Sequence, residues 1–267
     1  RLVPAKGAMT VPRALTIATS DSGGGAGIQA DLKAFAAAGA YGMSVVVALT
    51  AQSTVGVDAI ETLDPEFVRA QLDSVFGDIG VDAAKTGMLF SRPIIEAVAG
   101  FLSEHRVPLV VDPVMIATSG ARLLQPEAVE ALVSELLPLA SVTTPNLDEA
   151  IVLAGKPGSR RELAERIHAL GPAAVIVTGG HGAEPVDHLF DGREHFEIPV
   201  QRHSKLSTHG AGCTHSATLT ALLAKGVPLP EAAEEAARIA SQAVANGLEW
   251  LGAGEGPVDV LGLEEQG

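Results

Sequence analysis

The chain has 267 residues, 47% of them hydrophobic and 19% charged, which supplies a sizeable core and excludes a disordered acidic tail. Eighteen Lys plus Arg against 32 Asp plus Glu leave a net charge of −14, which argues against a broad nucleic-acid footprint or binding to an anionic membrane, and 3% aromatic residues offer no stacking platform for single strands. Any phosphate must therefore be held locally.

Arg1 to Ala8 carry no signal-peptide pattern and read as a non-native or disordered extension ahead of one domain over 9–267. The first strand is expected at 14–18, running into Thr19-Ser20-Asp21-Ser22-Gly23-Gly24-Gly25-Ala26-Gly27. Ile28, Leu32, Phe35 and Ala36 then recur at helical spacing until Gly39 stops the helix. Further strands are expected at 43–48, 83–85, 109–111, 142–143 and 174–177, and helices over 65–76, 93–105, 126–137 and 159–170. Strand and helix alternating in this way define an α/β fold, a mostly parallel sheet covered on both faces. Asp191-Gly192-Arg193 then joins 186–190 to 195–200 as an antiparallel hairpin at the sheet edge. Thr208-His209-Gly210-Ala211-Gly212-Cys213 opens an Ala-rich helix reaching 224, a last helix covers 230–247, and the tail from Gly252 reads as irregular. The longest apolar runs fall short of the roughly 18 to 20 residues of a membrane span. Cys213 is the single cysteine, so no intramolecular disulfide is possible and the cytoplasm is the expected compartment.

Three segments have the composition for chemistry. Gly23 to Gly27 suits close approach of an anion to a helix N-terminus, or simply a tight strand-to-helix turn; it matches neither G-x-x-x-x-G-K-[ST] nor G-x-G-x-x-G. Gly210, Ala211 and Gly212 head a helix whose free N–H groups form a hole for phosphoryl charge, and Cys213 there either has a lowered pKa and serves as nucleophile or base, or is a small buried cysteine. In Thr144-Pro145-Asn146-Leu147-Asp148-Glu149-Ala150, Asn146 and Glu149 form a helix-capping pair or stand near a magnesium ion and nucleotide phosphates. Asp21, Gln52, Lys85, Asp112, Asn146, Thr178 and Cys213 all fall at strand ends or helix starts, which places them around one shared cleft.

These motifs, together with Thr50-Ala51-Gln52, Lys85-Thr86-Gly87-Met88, Asp112-Pro113-Val114-Met115 and Gly179-Gly180-His181, closely resemble the hydroxymethylpyrimidine and phosphomethylpyrimidine kinases of thiamine biosynthesis. The resemblance implies a ribokinase-like fold with about eight mostly parallel strands, and transfer of the ATP γ-phosphoryl group, with Mg2+, to a pyrimidine alcohol and then to its monophosphate. It also implies a homodimer. By position it assigns Asp31 and Gln52 to hydrogen bonds with the pyrimidine, Val114 and Met88 to the ring, and Gly210, Ala211 and Gly212 to an anion hole. Cys213 takes the place of a catalytic aspartate, Asn146, Thr178 and Gly180 serve nucleotide and phosphate, and Asp112 and Glu149 the metal. Three positions depart from the family pattern: Thr19 for Gly beside the substrate, Thr178 for Lys, and Ala211 for Thr. A pyridoxal or pyridoxine kinase and a non-catalytic pyrimidine-binding relative are the alternatives.

Overall fold

The computed structural model describes residues 11–115, 124, 126–179, 185–203 and 207–263; the expected extension at 1–8 lies outside them. Nine strands form one sheet: β1 (Arg13–Asp21), β2 (Tyr41–Ser53), β3 (Gly56–Thr62), β4 (Ala83–Thr86), β5 (Leu109–Val111), β6 (Val142–Thr143), β7 (Val175–Val177), β8 (Val186–Phe190) and β9 (His195–Pro199). They are ordered β3-β2-β1-β4-β5-β6-β7-β8-β9, with β2 through β7 parallel and β3, β8 and β9 antiparallel to their neighbours. The expected hairpin at the far edge is present as β8 and β9. The ninth strand, β3, was not expected, because Asp58, Ala59, Glu61 and Thr62 are exposed and break any apolar run. Strand β2 also runs past Ala48 to Ser53, which carries Gln52 to the rim of the sheet.

Alternation along the strands divides the core between two helical layers. Leu15 and Ile17 of β1, Val45 and Val47 of β2, and Val111 of β5 pack against α2 (Pro65–Ser74), α3 (Arg92–Glu104), α4 (Pro126–Ala131), α5 (Leu147–Ala154) and α6 (Arg160–His168). The opposite face receives α1 (Gly27–Ala37), α7 (Ala211–Ala224) and α8 (Leu229–Ala245), through Ala14, Ala34, Phe35, Ala217 and Ala221 in one cluster and Val110, Val142, Ile176, Ala233 and Ala236 in another. Alanine on this side lets the helices lie close to the sheet, and the stretch of α7 from Thr214 to Ala221 is buried throughout.

Two of the helix starts are written locally. Asn146 accepts from the Glu149 N–H and Glu149 returns a bond to the Asn146 N–H, and Ser159 and Glu162 repeat the arrangement at α6. The chain passes from β2 and β3 on one side of β1 to β4 on the other, so the sheet reverses its winding at β1 and a crevice opens above the carboxyl ends of β1 and β4.

Candidate functional site

That crevice is a cavity of about 600 Å³, and Thr19, Asp31, Gln52, Met88, Asp112, Val114, Asn146, Glu149, Thr178 and Gly210 to Cys213 all line it. Gly180 lies outside the described residues.

The first glycine loop is a turn whose donors are consumed within the protein. Asp21 Oδ1 accepts from the Gly23 N–H at 2.8 Å, and Oδ2 from the N–H groups of Gly25 at 3.0 Å and Ala26 at 2.8 Å. Burial alone raises a carboxyl pKa, but these bonds and His209 Nε2 at 3.3 Å outweigh it and hold Asp21 below its ordinary value. The loop therefore offers no open anion hole. Its glycines serve close packing: a Cβ on Gly25 would overlap the His209 ring, one on Gly27 the Thr19 carbonyl, and one on Gly210 the Gly25 carbonyl.

The second loop stays open. Gly210 caps α7 with φ of 84°, and no side chain caps this helix. The N–H groups of exposed Gly212 and half-buried Cys213 thus have no acceptor among the described residues and face the cavity. Ala211 in place of Thr keeps its backbone, so the hole does not depend on the missing hydroxyl. Glu255 accepts from both the Thr208 N–H and its hydroxyl, tying this loop to the C-terminal segment.

Beneath the hole lies a buried charge cluster. Lys85 Nζ is 2.6 Å from Asp31 Oδ1 and 3.7 Å from Asp112 Oδ2, with Lys85 and Asp31 fully buried. Burial alone would lower the Lys85 ammonium, but Asp31, with Cys213 and Asp112 adding to it, holds it above the usual lysine range, while burial raises the Asp31 carboxyl against the opposing pull of Lys85. Asp31 Oδ2 accepts from Thr16 Oγ1 at 2.6 Å. Asp31 thus accepts from Lys85 through one oxygen and from Thr16 through the other while lining the cavity. Asp112 accepts from Ser216 Oγ at 2.7 Å.

The lowered thiol pKa expected at Cys213 is not found. Burial pushes its thiol up to about 12; Lys85 opposes the shift, while Asp31 and Asp112 add to it. The residue is half-buried, and a helix N-terminus does not make this sulfur a thiolate near neutrality.

Glu149 is buried, with Oε1 accepting from the Met115 N–H at 3.3 Å and Oε2 from the Asn146 N–H at 3.0 Å. Burial first, and then the Asp112 carboxylate, push it up to about 8. Asn146 Oδ1 is used by the capping box, and the Thr178 N–H donates to the Pro145 carbonyl. Thr19 donates its hydroxyl to the Met88 carbonyl at 3.0 Å, so its side chain is tied to the wall opposite β1. Gln52 Oε1 accepts from Thr50 Oγ1 at 3.2 Å, while its backbone N–H and carbonyl both bond Ser22 Oγ.

Sequence reasoning missed Asp187, His215 and Ser216. His215 and Ser216 close the Gly210 to Ser216 motif, which assigns them no role, and Asp187 belongs to no motif; their convergence depends on β8 and α7 meeting in space.

A parallel sheet with its crevice at the winding reversal, an uncapped helix N-terminus for anions and buried acidic groups beside it define a small-molecule phosphotransferase of the ribokinase-like class. The family described as phosphomethylpyrimidine kinase matches residues 21–259, and the chain belongs to it. A hydroxymethylpyrimidine/phosphomethylpyrimidine kinase from Rhizobium meliloti is 51% identical over 254 residues, covering 92% of this chain and 95% of that protein. The crystal structure of a phosphomethylpyrimidine kinase from Clostridium difficile has a TM-score of 0.79 at 42% identity, over 88% of this chain and all of that one. An ADP complex of Bacillus subtilis pyridoxal kinase has a TM-score of 0.84 at 40% identity, over 94% and 97%.

Proposed function

We propose that this chain transfers the γ-phosphoryl group of ATP to the hydroxymethyl group of 4-amino-5-hydroxymethyl-2-methylpyrimidine and then to the resulting monophosphate, supplying the pyrimidine of thiamine. The observation that carries the reading is the open N-terminus of α7 above the Lys85–Asp31 ion pair, inside a cavity of about 600 Å³. The α7 N–H groups and the Lys85 ammonium stabilise charge on the transferring group, which in a loose transition state matters more than early removal of the alcohol proton. Gln52 reads the aminopyrimidine edge with its amide, Val114 and Met88 pack on the ring, and Thr19 narrows the ring site from β1. Asn146 and Thr178 serve the nucleotide side, where the family resemblance also assigns Gly180.

Two hard-oxygen groups, Asp112 and Glu149, suit Mg2+, which takes one or two carboxylates and completes its shell with phosphate oxygens and water; no denser group of metal ligands exists among the described residues. Asp112 and Glu149 would hold the ion, which would supply charge neutralisation for the phosphates.

The likeness to pyridoxal kinases, one at 40% identity, supports a second reading in which pyridoxal is also an acceptor. Purified protein with Mg-ATP and each of the pyrimidine alcohol, its monophosphate, pyridoxal and pyridoxine, followed by ADP release, separates them. Turnover with both pyrimidines is expected; turnover confined to the pyridoxal-type alcohols, or none at all, overturns the reading.

We further propose one kinase domain over 9–267 working as a homodimer in the cytoplasm. The uncovered strand β3 and the exposed Leu49 and Val55 beside it support pairing of copies, and the free Cys213 suits a reducing compartment. Sedimentation equilibrium tests the dimer; a monomer mass at working concentration removes it.

A further inference from the structure

His215 is a basic side chain of the cavity that the reading above does not use. His215 lies one turn along α7 from Ala211, is 5% exposed and lines the cavity, and neither ring nitrogen has a hydrogen-bond partner. Its Nε2 stands 3.6 Å from Asp187 Oδ2, beyond hydrogen-bond distance. Asp187 is itself fixed, because its Oδ1 accepts from the Gly179 N–H at 2.6 Å. An imidazole buried with both nitrogens unpaired is costly and marks a group whose partner arrives with a ligand.

The other basic groups lining the cavity are engaged or exposed. Lys85 is paired with Asp31, His209 with Asp21 and His203 with Ser241, while Arg202 lies out in solvent. Opposite them stand the carboxyl groups of Asp112, Glu149 and Asp187, so among the described residues a polyphosphate entering this cavity meets few free cationic donors. A helical side chain leans toward the N-terminus of its helix, which brings the His215 ring back toward the open Gly212 and Cys213 N–H groups.

We propose that His215 is a nucleotide-contacting residue, donating a hydrogen bond to a phosphate oxygen of the bound nucleotide while Asp187 orients its ring through the other nitrogen. This rests on the kinase reading and adds a specific phosphate contact to it. A donor at this place supplies what Thr178, which carries no charge, does not.

Calorimetric titration with ADP, adenosine and the pyrimidine alcohol tests the assignment. His215→Leu is expected to weaken ADP by about tenfold or more while adenosine and the pyrimidine bind as in the wild type, and His215→Asn, which retains a donor near the Nδ1 position, recovers part of the loss. ADP binding within twofold of wild type, or equal loss for ADP and adenosine, overturns the contact. If His215→Leu does not fold, the wild-type histidine ring resonances decide: ADP must shift those of His215, and an unshifted ring refutes the proposal. Wild-type protein that binds no ADP removes the kinase reading together with this one, whereas wild-type binding with an indifferent His215 removes this one alone.

Discussion

The Gly25 carbonyl and the Gly210 α-carbon are packed so closely that a side chain on Gly210 would overlap that carbonyl. The two glycine loops, about 185 residues apart in the chain, are thus one structural unit: the first, braced by Asp21, is the surface against which the second is shaped.

Gly210→Ala combines this overlap with a φ of 84° that alanine rarely adopts, and is expected to cost roughly 2 to 4 kcal/mol and to lower kcat by displacing the α7 N–H groups. Gly212→Ala meets nothing within 4 Å and should leave stability within about 1 kcal/mol of wild type. Urea unfolding of the two variants compares them; equal stability losses would contradict the loop-packing account.

Lys85 and Asp31 are both fully buried and 2.6 Å apart, so removing either partner strands a charge. Lys85→Met alone should destabilise by about 3 to 5 kcal/mol, and the Lys85→Met, Asp31→Leu double variant should regain most of that without regaining turnover. Recovery of activity in the double variant would show that the ammonium is not needed for phosphoryl transfer.

A thiol pushed up to about 12 is neutral at pH 7, so Cys213 acts there as a hydrogen-bonding contact. Cys213→Ser keeps such a contact and is expected to retain kcat within about tenfold, whereas loss of a true general base costs roughly 10² to 10⁴. A hundredfold drop in Cys213→Ser would restore the thiolate.

Glu149 titrates at about 8 in the folded protein against 4.5 in an ordinary setting. The folded state holds the extra proton between those values, so the stability this carboxyl contributes is complete below about pH 4.5 and is lost as pH rises through about 8. Without Mg2+, Glu149→Gln should gain stability relative to wild type across that window, by at most roughly 1.4 kcal/mol per pH unit. Thermal melts of the pair at pH 5 and pH 9 check it; a constant difference between them would mean that Glu149 is already ionised at pH 5.

The sequence by itself determined the elements and the chemistry of the rim. Alternating apolar runs, the Asn146 and Glu149 capping pair and the glycines at 25, 27 and 210 express periodicity, local hydrogen bonding and backbone freedom, all of which act over a few residues and are legible without the fold. The tertiary structure decided which of those groups are spent. Asp31 and Asp21 look alike as loop and helix acids, yet one is consumed by a lysine 54 positions away and the other by its own loop, while Cys213, placed where a helix dipole favours a thiolate, is pushed the opposite way by burial beside Asp31 and Asp112. Desolvation and ion pairing depend on what β1, β4, β5 and α7 bring together from distant parts of the chain, and no local spacing encodes that.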